Sequence, residues 1–402
     1  MDAPAFFVHA GAMGAKLSPV AVLGGGIAGL AVARALALQG AEVTVFEQAA
    51  ALGEIGAGLQ ISPNGVRVLE ALGLGAALCQ KGQRAEAVVL CDYRGGPVAT
   101  LPLRGQQYYF LHRADLVDLL AEGARAAGVR MALAQQARGL TLAPGGATFT
   151  TTQGGTHEAR LLIGADGLHS VVRAALNGRV VPFFTRQVAW RALVPGDGAA
   201  RGQASAVVRV WMGPGRHLVS YPLRGGTLIN LVAVEERGRW TDEGWQHEDD
   251  PEALRAAFAG FTPEVRSLLE RVEKVHLWGL FRHPVARHWH GQSAAILGDA
   301  AHPTLPFLAQ GANLALEDAW VLAAMLARHA GLEAGLAAYQ ALRAPRAARV
   351  IEAATRNGRL YHLRQPLPRM AVQSGMRAVG ALAPGLMVRR LAWVHGYDAT
   401  QV

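Results

Sequence analysis

From Pro19 to Glu47 the chain reads as a short apolar strand, a glycine turn, an apolar helix, a second strand and a terminal acid. Gly24, Gly26 and Gly29 take the G-x-G-x-x-G spacing, Ile27 to Gln39 repeats apolar residues at helical intervals, and Gly40 can end that helix. Small residues at Gly24, Gly26, Ala28 and Gly29 leave the backbone open to a ligand. Free N–H groups there, backed by the helix dipole, stabilise a pyrophosphate without any lysine. Ala41 to Phe46 reads as the second strand, and Glu47 ends it where a carboxylate accepts hydrogen bonds from a ribose. That acid suits a free 2′-hydroxyl and repels a 2′-phosphate, which favours FAD or NAD over NADP.

Two more signatures follow apolar runs that read as buried strands. They are Leu162-Ile163-Gly164-Ala165-Asp166-Gly167 and Ile296-Leu297-Gly298-Asp299-Ala300-Ala301-His302-Pro303. Each brings glycine and one carboxylate to a strand end, so that backbone can approach a phosphate or sugar. With the first signature they point to one bound flavin dinucleotide. Taken alone, Asp166 reads rather as a cap for the helix from Ser170. Beyond the third signature, Pro303 and Pro306 stiffen a loop, and Gln310-Gly311-Ala312-Asn313 opens a helix with free N–H groups.

The 402 residues are long enough for two domains, and 51% hydrophobic with 17% charged residues is an ordinary globular balance. The net charge of +9 rests on arginine, since Lys16, Lys81 and Lys274 are the only lysines. Without a basic run it argues against a nucleic-acid partner and for attraction of anionic small molecules. Cys79 and Cys91 show neither C-x-x-C nor metal-ligand spacing, so no disulfide scaffold and no metal site is expected, and a reducing cytoplasm fits. Residues 1–18 lack a basic n-region and read as a disordered leader. No apolar run is long enough for a membrane span.

The patterning predicts an α/β fold: a Rossmann-like dinucleotide-binding domain from 19–83, 110–180 and 285–330, an inserted mostly β-sheet substrate domain from 84–109 and 181–284, and a helical tail over 331–402. A glycine-rich stretch, 53–58, leads into a helix over Pro63–Leu72. Strands are expected at Val188–Val194, Ala206–Met212, His217–Leu223 and Thr227–Glu235, and a long buried helix at Ala312–His329.

Gly215-Arg216-His217-Leu218-Val219-Ser220-Tyr221-Pro222, Asn230-Leu231-Val232-Ala233-Val234-Glu235 and the run from Gly298 through Asn313 into Leu316-Glu317-Asp318-Ala319 carry a resemblance. From Pro19 to Asp398 the chain resembles the single-component flavoprotein aromatic hydroxylases of the p-hydroxybenzoate hydroxylase fold, particularly the salicylate, 3-hydroxybenzoate and 6-hydroxynicotinate monooxygenases. The resemblance implies noncovalent FAD on Gly24, Gly26, Gly29, Glu47, Arg113, Asp166 and Asp299. The Gly311, Ala312 and Asn313 N-terminus would stabilise charge on the reduced ring, with Pro303 in the adjoining loop. It implies transient NADH or NADPH, O2 and a small, phenolic or heteroaromatic, carboxylated substrate attacked by a flavin C(4a)-hydroperoxide. It also places His217 and Tyr221, four apart on one strand face, and Gln310 beside the substrate, with His217 promoting phenolate character.

Departures limit what carries over. Gln48 follows Glu47 where arginine is common, and Phe281-Arg282-His283-Pro284 replaces an acidic-arginine pair. Arg191, Arg209 and Arg216 are candidates for a substrate carboxylate, but alternation alone does not select the inward one. Two other functions fit the motifs. One is a quinone-biosynthesis hydroxylase resting on a membrane surface through the Met370–Trp393 tail, and the other is a non-catalytic FAD-binding redox protein. A monomer or homodimer is expected.

Overall fold

The computed structural model describes residues 17–53, 58–196, 206–239 and 247–402. Val20–Leu23 lies inside a six-stranded sheet, parallel to Val43–Phe46 on one side and Leu161–Gly164 on the other. Arg130–Ala132 and Ala294–Ile296 extend it in parallel, and His290–Gly291 closes one edge antiparallel. Leu23 pairs with Gly164 and Gly164 with Ile296. The three glycine-and-acid signatures therefore leave the same end of three adjacent strands, where ligands bind in open α/β sheets.

The expected helix after the glycine turn spans Ile27–Ala37, and its Leu30–Ala33 segment is wholly buried. Gly24 has φ +103, and a β-carbon there would overlap the Ala165 carbonyl, while one at Gly29 would overlap that of Gly24. The glycines at these two positions are thus demanded by backbone contact. Gly26 differs: no atom lies within 4 Å of its missing β-carbon. The space above it is open at the helix N-terminus.

A second, eight-stranded sheet runs in the order His247–Asp249, Val275–Arg282, Phe183–Pro195, Leu228–Glu236, Arg216–Leu223, Val207–Gly213, Ala87–Asp92 and Pro97–Pro102. One face packs Trp190, Trp211 and Leu218 against Phe258 and Val265 of the Pro251–Glu270 helical segment. Register puts His217 opposite Val234, Tyr221 opposite Asn230 and Arg191 opposite Val232. Period-two alternation sets these side chains on the other face, where Ala189, Val234 and Leu280 meet Phe307 of the Pro306–Leu308 turn and Ala354 of the Leu332–Tyr361 helix.

Gly58–Ile61, Tyr109–His112 and Gln83–Arg84 form a small sheet beside this face. Most of the glycine-rich 53–58 stretch lies outside the described residues, as does nearly all of the expected leader. The Ala137–Ala159 meander is an element that the sequence patterning passed over, because its first strand is largely exposed and weakly apolar. The tail forms the Leu332–Tyr361 helix and then two surface helices, Pro366–Leu382 and Pro384–His395, which expose Leu367, Met370, Leu382 and Leu386. Among the described residues no helix is long and apolar enough to cross a membrane.

Candidate active site

The end of the six-stranded sheet gathers the dinucleotide-directed residues. Glu47 accepts hydrogen bonds from Gly25 N–H at 2.6 Å and Ala49 N–H at 2.9 Å, so backbone amides fix both carboxylate oxygens. Asp166 Oδ2 accepts from Val171 N–H at 2.8 Å, while Oδ1 is buried without a partner. Burial pushes that carboxyl up. Asp299 is exposed at the mouth of the third turn. Arg113 faces it from the start of the Arg113–Ala126 helix, where burial lowers the guanidinium and Asp299 opposes the shift. Thr304 contributes a buried hydroxyl with no partner.

The Gly311–Arg328 helix begins without a side-chain cap. Gln310 fixes its position: Oε1 accepts from Asn64 Nδ2 at 3.0 Å and Nε2 donates to Ser62 Oγ at 2.9 Å. Asn313 accepts from Ser62 N–H at 3.0 Å and donates to the Gln60 carbonyl at 3.0 Å. Both side chains are spent on holding the helix end against the Gly58–Ile61 strand. Gly311 and Ala312 are left to present backbone N–H groups. Behind them Glu317 and Asp318 anchor a buried ion cluster. Arg343 meets Glu317 and Asp318 at 2.7 Å each, Arg346 meets Glu317 at 2.7 Å, and His302 pairs with Asp318, which also accepts from Gly298 N–H at 3.1 Å. The cluster locks the Gly298 turn to the helix.

The facing sheet supplies a different set. His217 is 2% exposed, packs on the Phe307 and Tyr361 rings, and has Nδ1 at 2.6 Å from His362 Nε2. Only Nε2 remains for a ligand. Burial, and then His362, draw its imidazole well below the usual value. Burial raises the Tyr221 phenol, with Arg191 and a hydrogen bond to Gln60 opposing the shift. Asn230 accepts from Gly58 N–H at 2.7 Å, but its buried Nδ2 has no partner.

Of the three candidate arginines, Arg209 turns to Glu264 at 3.5 Å and Arg216 to Glu235 at 2.9 Å, both with side chains 39% exposed. Arg191 alone points inward. Its guanidinium stacks on Trp278 at 4.4 Å, its Nε is buried without a partner, and burial brings it down to about 10. His217 and Tyr221 thus share a face with Arg191, and Phe307 brings the Pro303–Asn313 segment against it. Gln310 instead looks towards Asn64 and Ser62.

A family model described as FAD binding domain matches residues 18–354. The chain belongs to this FAD-binding family. It is a flavoprotein monooxygenase of the aromatic hydroxylase group. It is 37% identical to the 3-amino-4-hydroxybenzoate 2-monooxygenase of Streptomyces platensis, over 95% of this chain and 97% of the relative. A salicylate hydroxylase solved with substrate superimposes with TM-score 0.79 and 26% identity over 95% of this chain and 96% of the other. HpxO of Klebsiella pneumoniae, solved with FAD and uric acid, gives TM-score 0.78 and 25% identity over 89% and 92%.

The residues of this flavoprotein fit FAD. The open space over Gly26 suits a pyrophosphate at an uncapped helix end. Glu47 stands at the neighbouring strand end, and the exposed Asp299 and the orphan Thr304 hydroxyl offer polar partners. Arg191 and Asn230 bring further buried, unpartnered nitrogens to the facing sheet. The sequence does not sort Arg191 from the other two arginines; what separates it is structural, the Trp278 face in place of the acids that Arg209 and Arg216 meet.

Proposed function

We propose that this flavoprotein hydroxylates a phenolic or heteroaromatic carboxylate, with NADH or NADPH as electron donor and O2 as the oxygen source. Bound FAD would supply hydride acceptance and oxygen activation. The chain's own work is to bind, orient and deprotonate. Gly24, Gly26, Ala28, Gly29, Glu47, Arg113, Asp166 and Asp299 would hold the cofactor, with the Gly311 helix end stabilising negative charge and the Pro303–Leu308 loop shielding the reacting face from water.

The observation that carries the substrate class is the Arg191 cation. Among the described residues Arg191 has no acidic partner; a buried charge without a counterion is costly, and a ligand carboxylate removes that cost. Asn230 Nδ2 offers a second donor on the same face. The substrate hydroxyl would give its proton to His217 Nε2, since phenolate character enriches the ring for attack. Tyr221 lines the same face. Gln310, with both ends of its amide engaged, acts as a positioning residue for the helix terminus.

The test is nicotinamide oxidation by purified, FAD-loaded protein against amino- and hydroxybenzoates, hydroxynicotinates, quinolones and anthranilates, with product mass read alongside. An aromatic carboxylate should stimulate oxidation sharply and gain one oxygen atom. Stimulation only by a prenylated phenol would move the assignment to quinone biosynthesis, and no stimulation by any compound would leave a non-catalytic redox protein.

A further inference from the structure

His217 occupies a position where a base is hard to use alone. It is enclosed by Phe307, Tyr361 and His362, and a proton taken up there would leave an imidazolium inside an apolar wall. The contacts beyond it supply an exit. His362 caps the Leu332–Tyr361 helix and is 3% exposed. Its Nε2 meets His217 Nδ1 at 2.6 Å, and its Nδ1 lies 3.2 Å from Glu236 Oε1. Glu236 is 30% exposed, and its second oxygen accepts from Arg364 Nε at 2.7 Å, at the surface. Two paired strands and a helix end more than a hundred residues further on thus form one line from the substrate-facing sheet to solvent.

We infer that His217, His362 and Glu236 form a proton-transfer chain that carries the substrate hydroxyl proton out of the buried site. This rests on the reading above in which His217 Nε2 takes that proton. In the resting tautomers each imidazole carries its proton on Nδ1, His217 donating to His362 and His362 to Glu236. When the substrate O–H bond breaks, its proton binds His217 Nε2, the His217 Nδ1 proton moves to His362 Nε2, and the His362 Nδ1 proton moves to a Glu236 oxygen. The phenolate keeps the electron pair, both imidazoles end neutral, and Glu236 releases one proton to water. No net charge rests on either buried ring.

The surroundings set the state of the outer end. Facing the pair are Tyr361 on the helix, Phe307 on the turn, and Gln187, whose amide nitrogen is 3.4 Å from His362 Nδ1. Its charged neighbours are Glu236 and Arg364. Glu235, next along the strand, is engaged by Arg216 and Arg237 at 2.9 and 2.8 Å. The hydrogen bond from His362 is the main force holding the Glu236 carboxyl low; burial opposes it and Arg364 adds to it. The chain therefore ends in an ionised acceptor.

The experiment uses FAD-loaded protein without nicotinamide and 4-hydroxy-3-nitrobenzoate as probe, whose phenolate is coloured, mixed at a pH below the probe's own phenol pKa so that it enters as the neutral phenol. Stopped-flow mixing follows phenolate absorbance and, with an indicator dye, proton release. Wild type should ionise the probe rapidly and release one proton. His362→Gln should slow both signals at least tenfold at unchanged FAD content, with the rate restored in proportion to added imidazole. Glu236→Gln, at a partly exposed position, should slow release in the same way and covers the case in which the first variant fails to fold. Wild-type rates in both variants, or in the one that folds, overturn the chain. Undiminished ionisation in His217→Ala overturns the base assignment as well, and so separates the two.

Discussion

At the residue scale, the candidate site joins side chains that the sequence singled out to others, Arg191 and Asn230, that it did not select. His217 and Tyr221 were legible because period-two spacing puts them on one face of a continuous strand, Arg216–Leu223. Arg191 was not, because three arginines lay on strands and an inward arginine is known only from what surrounds it. The structure gives Arg209 and Arg216 acidic partners and gives Arg191 the face of Trp278. Gln310 was legible as a site residue, but the side-chain network that holds it joins positions 62, 64 and 310, which no local pattern connects. A prediction follows for Arg191→Met. Losing one partner of a buried charge pair weakens binding by about 2–5 kcal/mol, so KM for the carboxylated substrate should rise about 100-fold while its neutral amide is little affected. The melting temperature of the substrate-free variant should not fall and is expected to rise, since an uncompensated buried cation has been removed. Steady-state kinetics with acid and amide, beside a thermal melt, read both.

At the scale of elements, what positions the chemistry is the Gly311–Arg328 helix and the turn that precedes it. The sequence showed the helix start and the Leu316-Glu317-Asp318-Ala319 run, but not that the two acids are buried, since acids are almost never fully buried unless paired. Their cations come from the Leu332–Tyr361 helix, which packs back on them. Arg343→Met should cost about 3–5 kcal/mol of stability, because it strips a buried cluster of one cation and leaves both carboxylates underpaired. A lowered midpoint in thermal or urea unfolding checks it. The cluster also sets an acid limit. Burial pushes the Asp318 carboxyl up, but His302 and Arg343 outweigh it and hold it at about 2. A carboxyl whose folded value is depressed stabilises the fold above its unfolded value and loses that contribution as pH falls. Stability should therefore decline from about pH 4 towards pH 2. Asp318→Asn should flatten that part of the profile.

At the scale of the whole molecule, the sheet carrying the three signatures was legible because each of its motifs is local, a strand followed at once by a glycine turn. The larger sheet was legible as a separate sheet and in its strands, but not in their order. That Ala87–Asp92 lies parallel to Val207–Gly213 depends on a pairing across more than a hundred residues, which alternation does not encode. The proposed cofactor cradle has the same long-range character: residues 24–29, 47, 113, 166, 299 and 311–313 come from separate stretches, so a ligand bound there would tie the chain together. FAD at about one hundred times its Kd should stabilise the protein by about 2.7 kcal/mol, which for 402 residues raises the melting midpoint by about 3 °C. Gly26 gives this prediction a clean control. Gly24 and Gly29 cannot take a side chain without striking backbone, whereas Gly26 has φ −80 and open space where its side chain would stand. Gly26→Val should therefore fold and melt as wild type does without FAD. Its side chain would fill the space that the pyrophosphate needs, so added FAD should produce no shift and no flavin absorbance should copurify. A full shift in Gly26→Val would place the pyrophosphate elsewhere, while Arg191→Met, altered only on the substrate face, should keep the wild-type response to FAD.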